Sequence, residues 1–239
     1  MIRFFRSIRK ALVGSGSIHK YLLYAIGEIL LVMIGILLAL QVNNWNENRK
    51  ARIKETNLLE QLKENMQFNV IQIDEAVAEF EFKCRSILLI ADHIKSRKPF
   101  HDSLKFHFYG TFSPGITELT SSAYEAFKSV GLDLISSDSL REKIINLYEI
   151  SYPKLEISFR EVLNNWEQGM IVPYYSEHFS FEPGGMTPND YEFLLSDQKF
   201  QNILSGRSTL FQFIMMLLEE MKQKTIALQK DIALFLKKG

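Results

Sequence analysis

The stretch Tyr21–Trp45, YLLYAIGEILLVMIGILLALQVNNW, decides how the rest of this 239-residue chain is read. Every residue from Ile29 to Leu40 is apolar or glycine, and the run extends back to Leu22 and forward to Val42, broken only by Glu28 and Gln41. A helix rises 1.5 Å per residue, so about 20 residues span the roughly 30 Å hydrocarbon core of a bilayer. Tyr21, Tyr24 and Trp45 stand where interfacial aromatics anchor a span. A buried core helix of this length would carry more polar positions. A cleaved signal peptide is the main rival, but the apolar run is too long for one and Ala39-Leu40-Gln41 is a poor cleavage site. The stretch is predicted to be an uncleaved transmembrane signal-anchor over residues 21–45.

Glu28 is the exception inside the span. A carboxylate at mid-bilayer costs about 2.5–3.5 kcal/mol on insertion scales and less near an interface. Glu28 lies one turn from Tyr24, so a shallow, snorkelling carboxylate accounts for it. The sharper reading is a helix–helix contact through Glu28, with Gly35 and Ala39 as a small-x-x-x-small pair that lets two backbones approach and Gln41 as a second polar group.

Charge is unevenly placed. Arg3, Arg6, Arg9, Lys10 and Lys20 precede the span with no acidic residue among them, whereas 23 basic and 27 acidic residues follow Trp45. Residues 1–20 read as a basic amphipathic cytoplasmic leader. Ile2, Phe5, Ile8 and Leu12 form its apolar side, and Arg3, Arg6, Arg9 and Lys10 contact the anionic leaflet. Gly14-Ser15-Gly16-Ser17 breaks it. Lys and Arg near the ends of a span set its orientation, and Arg49, Lys50, Arg52 and Lys54 on the far side nearly match the leader. The acid-free leader favours a cytoplasmic amino terminus, with the large domain outside the inner membrane.

Residues 46–239 are enough for one domain with a proper core. Asn43, Asn44, Asn46 and Asn48 mark a poor helical stretch at the membrane exit. Beyond it Leu59, Leu62, Met66, Val70, Ile73, Val77, Phe80, Cys84, Ile87, Ala91 and Ile94 recur at threes and fours, the seam of a coiled coil or helical bundle. Leu58, Ile71, Leu88 and Ile90 widen the stripe towards a bundle. Phe100–Gly115 reads as a loop or hairpin, because Leu104, Phe106 and Phe108 alternate with polar residues. A helix capped by Ser121 or Ser122 runs to Gly131. Ser139 and Glu142 form a capping-box start to a helix kinked at Pro153. A turn lies at Pro183-Gly184-Gly185, short helices open at Thr187-Pro188 and Ser196, and a last long helix covers Arg207–Lys238 with Leu210, Phe213, Leu217, Met221, Leu228, Ile232 and Phe235 inward. The fold class is all-α, a transmembrane helix followed by an extramembrane helical bundle with long helices.

The motif YAIGEI (Tyr24–Ile29), followed by ALQVNNWNENRK (Ala39–Lys50), resembles a family of bacterial single-pass membrane proteins whose domain has no known function. The basic aromatic start and Tyr124–Ser129 also look like that family. The resemblance implies an anchored helical domain and brings no catalytic residues.

Motifs for chemistry are missing. GxSxG, HExxH, Walker and CxxC patterns do not occur, no basic face suits nucleic acid, and the lone Cys84 sits on the apolar seam. His101 and His107 have no metal-ligand spacing. Tyr174, Tyr175, Glu177 and His178 cluster near a proline, as polar groups at helix ends often do. No catalytic residue and no cofactor are predicted. The sequence favours a protein-interaction or assembly module at the bacterial envelope, its partners the lipid bilayer and another membrane or envelope protein or a second copy. An extracytoplasmic ligand sensor with a pocket near Tyr174 and Trp166 is the second reading, and an unrecognised enzyme the third.

Overall fold

The computed structural model describes residues 18–113 and 118–238. Its contacts divide the chain into two compact units, Met1–Lys54 and Glu55–Gly239. Helix α1 (Ile18–Lys95) contributes to both. In the first unit its apolar residues are exposed: Leu31 is 61% and Val42 65% accessible. The Asn-rich stretch 43–48, a poor helical sequence by composition, is helical as well. The leader contacts assigned to Arg3, Arg6, Arg9 and Lys10 lie outside the described residues.

The second unit is all-α apart from one hairpin. After α1 come α2 (Leu104–Phe112), α3 (Ser122–Val130), a 3-10 turn (Leu132–Leu134) and α4 (Asp138–Ile145). A π-helical turn (Asn146–Ser151), α5 (Tyr152–Trp166) and a second π turn (Glu167–Ile171) lead into α6 (Val172–His178). The hairpin β1 (Phe179–Glu182) and β2 (Gly185–Pro188), the short α7 (Tyr191–Leu194) and the long α8 (Gln198–Lys238) complete it.

The seam of α1 packs as its spacing predicts. Leu59, Leu62, Met66, Val70, Ile73, Phe80, Ile87, Ile90 and Ile94 are buried, and Val77, Cys84 and Ala91 are packed against them. Each fully buried side chain of this kind contributes about 1.5–3 kcal/mol. Ile71 and Leu88 face outward instead, so the stripe is narrower than the sequence suggests. Burial pushes the Cys84 thiol up, which favours its protonated form. On α8 the inward residues are Leu210, Phe211, Ile214, Leu218, Met221, Leu228 and Ile232, whereas Phe213 points out at 47% exposure.

Polar side chains pin the helices in register. Buried Asn69 on α1 donates to the Thr120 carbonyl at 2.9 Å and to Tyr152 Oη at 3.3 Å, and its Oδ1 accepts from Thr120 N at 2.8 Å. Tyr152 Oη lies 3.0 Å from Thr225 Oγ1 on α8. One asparagine thereby ties α1, α5 and α8 together. Buried Glu55 accepts from the amide and hydroxyl of Ser136 at 2.7 and 2.8 Å.

Several local expectations are corrected. Phe100–Gly115 holds helix α2, not a hairpin, because Leu104 and Phe108 are one turn apart and both fully buried against their neighbours. Thr187-Pro188 belongs to β2, antiparallel to β1 with Phe179 opposite Pro188, so the short helix starts later, capped by Asp190. The turn is permitted by Gly184 and Gly185, both at positive φ, and a Cβ on Gly185 would meet the Lys105 carbonyl at 2.4 Å. Ser137, not Ser139, caps α4, accepting from Leu140 N. Ser121 makes no capping bond: Asn65 of α1 accepts from Ala123 N at 3.0 Å and Ser122 Oγ at 2.7 Å, so the cap comes from another helix. The last helix begins nine residues before Arg207, started by Asp197, whose carboxylate accepts from the amides of Lys199 and Phe200 at 3.0 and 3.1 Å.

Candidate functional site

Pro153 and Pro173 explain the unusual path on either side of α5. Proline has no N–H to donate and its ring crowds the carbonyl four residues back. Here each proline is preceded by a π-helical turn, which widens the backbone ring just before it. Single π turns of this sort concentrate at functional sites. Between them α5 turns Leu155, Phe159 and Leu163, spaced four apart, towards a cleft of about 740 Å³.

Phe80 from α1, Phe112 from α2, Leu119 and Tyr148 complete the apolar wall, while Glu118, Glu156, Arg160, Asn164, Glu167 and Gln168 supply polar groups. Tyr148 stacks flat on Tyr124 at 4.8 Å and meets Tyr152 edge-on at 5.1 Å. Its hydroxyl oxygen is buried and has no hydrogen-bond partner. Burial pushes the Tyr148 hydroxyl well above the usual range, so it stays an O–H donor.

Glu167 joins the cleft to a buried charge cluster. Its Oε1 accepts from Arg207 Nη1 at 2.7 Å, and Arg207 is 0% exposed. Arg207 Nη2 also donates to the carbonyls of Phe112 and Ser113 at 2.9 and 3.1 Å, satisfying the C-terminal end of α2. Its guanidinium lies 4.8 Å from the centroid of Phe211, and Lys83 Nζ lies 5.9 Å from the same ring. Lys83 donates to the Ser113 carbonyl at 3.1 Å and pairs with Glu79 at 2.7 Å. Burial lowers the Lys83 ammonium below the usual lysine range, opposed by the hydrogen bond and charge of Glu79. Removing one member of a buried pair such as Arg207–Glu167 costs about 3–5 kcal/mol.

The residues expected at a pocket are elsewhere. Tyr174 is 1% exposed, donates to Asp197 and stacks on Phe200 at 5.6 Å. Burial and the neighbouring Asp197 push its hydroxyl up. Tyr175 lies 2.7 Å from Thr111 Oγ1, and burial pushes its hydroxyl up to about 12. Trp166 packs over Gly206, where an added Cβ would come within 2.3 Å of the indole. These aromatics are core. His107 meets Ser86 Oγ at 2.9 Å and His101 meets Ser103 Oγ at 2.9 Å. Among the described residues, no group of three His, Cys, Asp or Glu side chains could hold a metal ion.

In the first unit, α1 is long and apolar enough to cross a membrane, with a window of mean hydropathy 2.4 and none of it buried; a membrane anchor and a signal sequence both have this form. Spacings of seven and eleven residues bring Glu28, Gly35 and Ala39 within about 20° of one line along α1, with Gln41 on the opposite side. Gly35, Ala39 and Gln41 are exposed and Glu28 is partly covered. The Arg49 guanidinium sits 5.9 Å from the Trp45 ring, which is itself exposed. Tyr21 and Tyr24 lie on the helical backbone.

No curated protein and no solved structure matches the chain. A family model matches residues 28–165, which runs from Glu28 through α5, leaving the basic start before it and α8 after it. The chain belongs to DUF6090, a family of unknown function.

Proposed function

We propose that this protein is a single-pass, membrane-anchored helical domain that acts as a protein-interaction or assembly module at a bacterial envelope. It catalyses no reaction in this reading. Its amino terminus lies in the cytoplasm and residues 46–239 lie outside the inner membrane. The observation that carries the reading is the single line on α1 formed by Glu28, Gly35 and Ala39 within an exposed apolar helix. Lipid gains nothing from such a line, whereas a second helix does. Small residues allow close backbone approach, and a carboxylate on the same line is able to hydrogen-bond across such a contact.

A photo-crosslinking residue placed at Ala39 in membranes tests this. The expected result is one defined adduct, a dimer or a chain plus one partner, which is weak or missing when the same group is placed at Gln41. Glu28→Gln should lower its yield. No adduct at any of these positions, or equal labelling from both sides of the helix, would sink the reading.

The cleft supports a second reading, an extracytoplasmic ligand sensor that signals through a partner's span. Its pocket would then be the cleft along α5 rather than the surroundings of Tyr174 and Trp166.

A further inference from the structure

The cleft along α5 goes beyond an assembly module and has the features of a small-molecule site. Its volume of about 740 Å³ lies within the roughly 300–1,000 Å³ of ligand pockets. Phe159 and Leu163 are only partly covered although they belong to the apolar stripe of α5. Polar groups in such pockets are few and fix orientation, and here one is conspicuous: the Tyr148 hydroxyl, on a side chain 5% exposed, has no partner. A buried donor in that state is stabilised by any acceptor brought to it.

Charge narrows the class. Arg160 is the cation in the lining and is paired with Glu156, while Glu167 is held by Arg207. Glu118 adds an exposed carboxylate at the same cleft. The lining thus carries three carboxylates, Glu118, Glu156 and Glu167, against one cation, Arg160, which is itself exposed, so the balance of charge disfavours an anionic head.

We infer that the cleft binds a small neutral lipophile carrying a hydrogen-bond acceptor, its apolar body against Phe80, Phe112, Phe159 and Leu163 and its acceptor on the Tyr148 hydroxyl. The hydroxyl is buried, so an acceptor reaches it only when the wall around Tyr148 opens. The proposal is independent of the helix–helix contact, because none of its residues belongs to the line formed by Glu28, Gly35 and Ala39.

The test uses the full chain in lipid nanodiscs titrated with propionyl-dimethylaminonaphthalene, a neutral naphthyl ketone whose emission reports polarity and hydrogen bonding at its carbonyl. Empty nanodiscs give the background. Saturable binding of one dye per chain is expected. Leu163→Trp, which fills the cleft, and Asn164→Trp, which covers it from an exposed position, should each weaken binding at least tenfold with unchanged helicity. Tyr148→Phe should weaken it about fivefold and shift the bound dye's emission to the blue. A signal no larger than that of empty discs, or binding untouched by both tryptophan variants, would overturn the site. Equal binding by Tyr148→Phe would overturn the acceptor contact, and displacement by oleate at lower concentration than by a neutral ketone would overturn the charge assignment. Adduct formation at Ala39 should be the same with and without dye, so the two proposals fail separately.

Discussion

Leu31 and Leu62 are the same residue type in the same helix, yet one is 61% exposed and the other fully buried. In the first unit the apolar run keeps its side chains outward, and the two polar residues that break it, Glu28 and Gln41, lie on opposite sides. The second unit turns the same residue types inward and pins them with Asn69, Glu55 and Arg207. Hydrophobicity alone therefore does not tell the regions apart. What differs is periodicity: continuous apolarity where the side chains are exposed around the helix, and a three-four repeat where one face meets a core.

That contrast makes separable predictions. Substitutions in the second unit should act on stability, and substitutions along the Glu28 line should act on association. The largest effect is expected for Arg207→Ala, which strands buried Glu167 and two helix-end carbonyls and should cost about 3–5 kcal/mol by denaturant unfolding of the detergent-solubilised chain. Glu28→Gln should leave that unfolding curve in place while reducing crosslinking at Ala39. If Arg207→Ala were neutral, or Glu28→Gln destabilised the second unit, the separation would be wrong. Next comes Gly206→Ala, which drives a methyl group into Trp166 and should cost about 1–3 kcal/mol in the same assay. Asn65→Ala removes the cap that α1 lends to α3 and should cost about 1 kcal/mol, while Ser121→Ala, which removes no capping bond, should cost far less.

The smallest effect is a pH dependence. Burial raises the Asp197 carboxyl, but the hydrogen bonds from Tyr174 and from the amides of Lys199 and Phe200 outweigh it and hold the group below the usual carboxylate range. A carboxyl lowered in the folded state stabilises above its unfolded pKa and loses that contribution as pH falls through the folded value. Asp197→Asn should therefore flatten the acid side of the melting profile, below about pH 4, relative to the parent chain. An unchanged acid limb would show that the cap is not titrating there.

Much of this was legible in the residues. The continuous apolar run and the threes and fours from Leu59 to Ile94 depend only on spacing, and both survive in the structure. What could not be read depends on partners distant in sequence. Leu104, Phe106 and Phe108 alternate like a strand, but Leu104 and Phe108 pack as one turn of a helix. Ser121 is a good cap by type, yet Asn65, more than fifty residues away, makes the bonds. Thr187-Pro188 resembles a helix start until β1 is there to pair with it. The cleft was hidden for a related reason. Leu155, Phe159 and Leu163 look like any core stripe, and only the prolines at 153 and 173 hint that the helix path changes around them.

The central claim is that Tyr21–Trp45 anchors the chain across a membrane with residues 46–239 outside the cytoplasm. A C-terminal reporter active only outside the cytoplasm, assayed in carbonate-washed membranes together with the size of the product, tests it most directly. Reporter activity is expected in the membrane pellet on a full-length chain. An inactive reporter on a membrane-bound chain would reverse the orientation, and an active but shortened product in the soluble fraction would make the stretch a cleaved signal sequence.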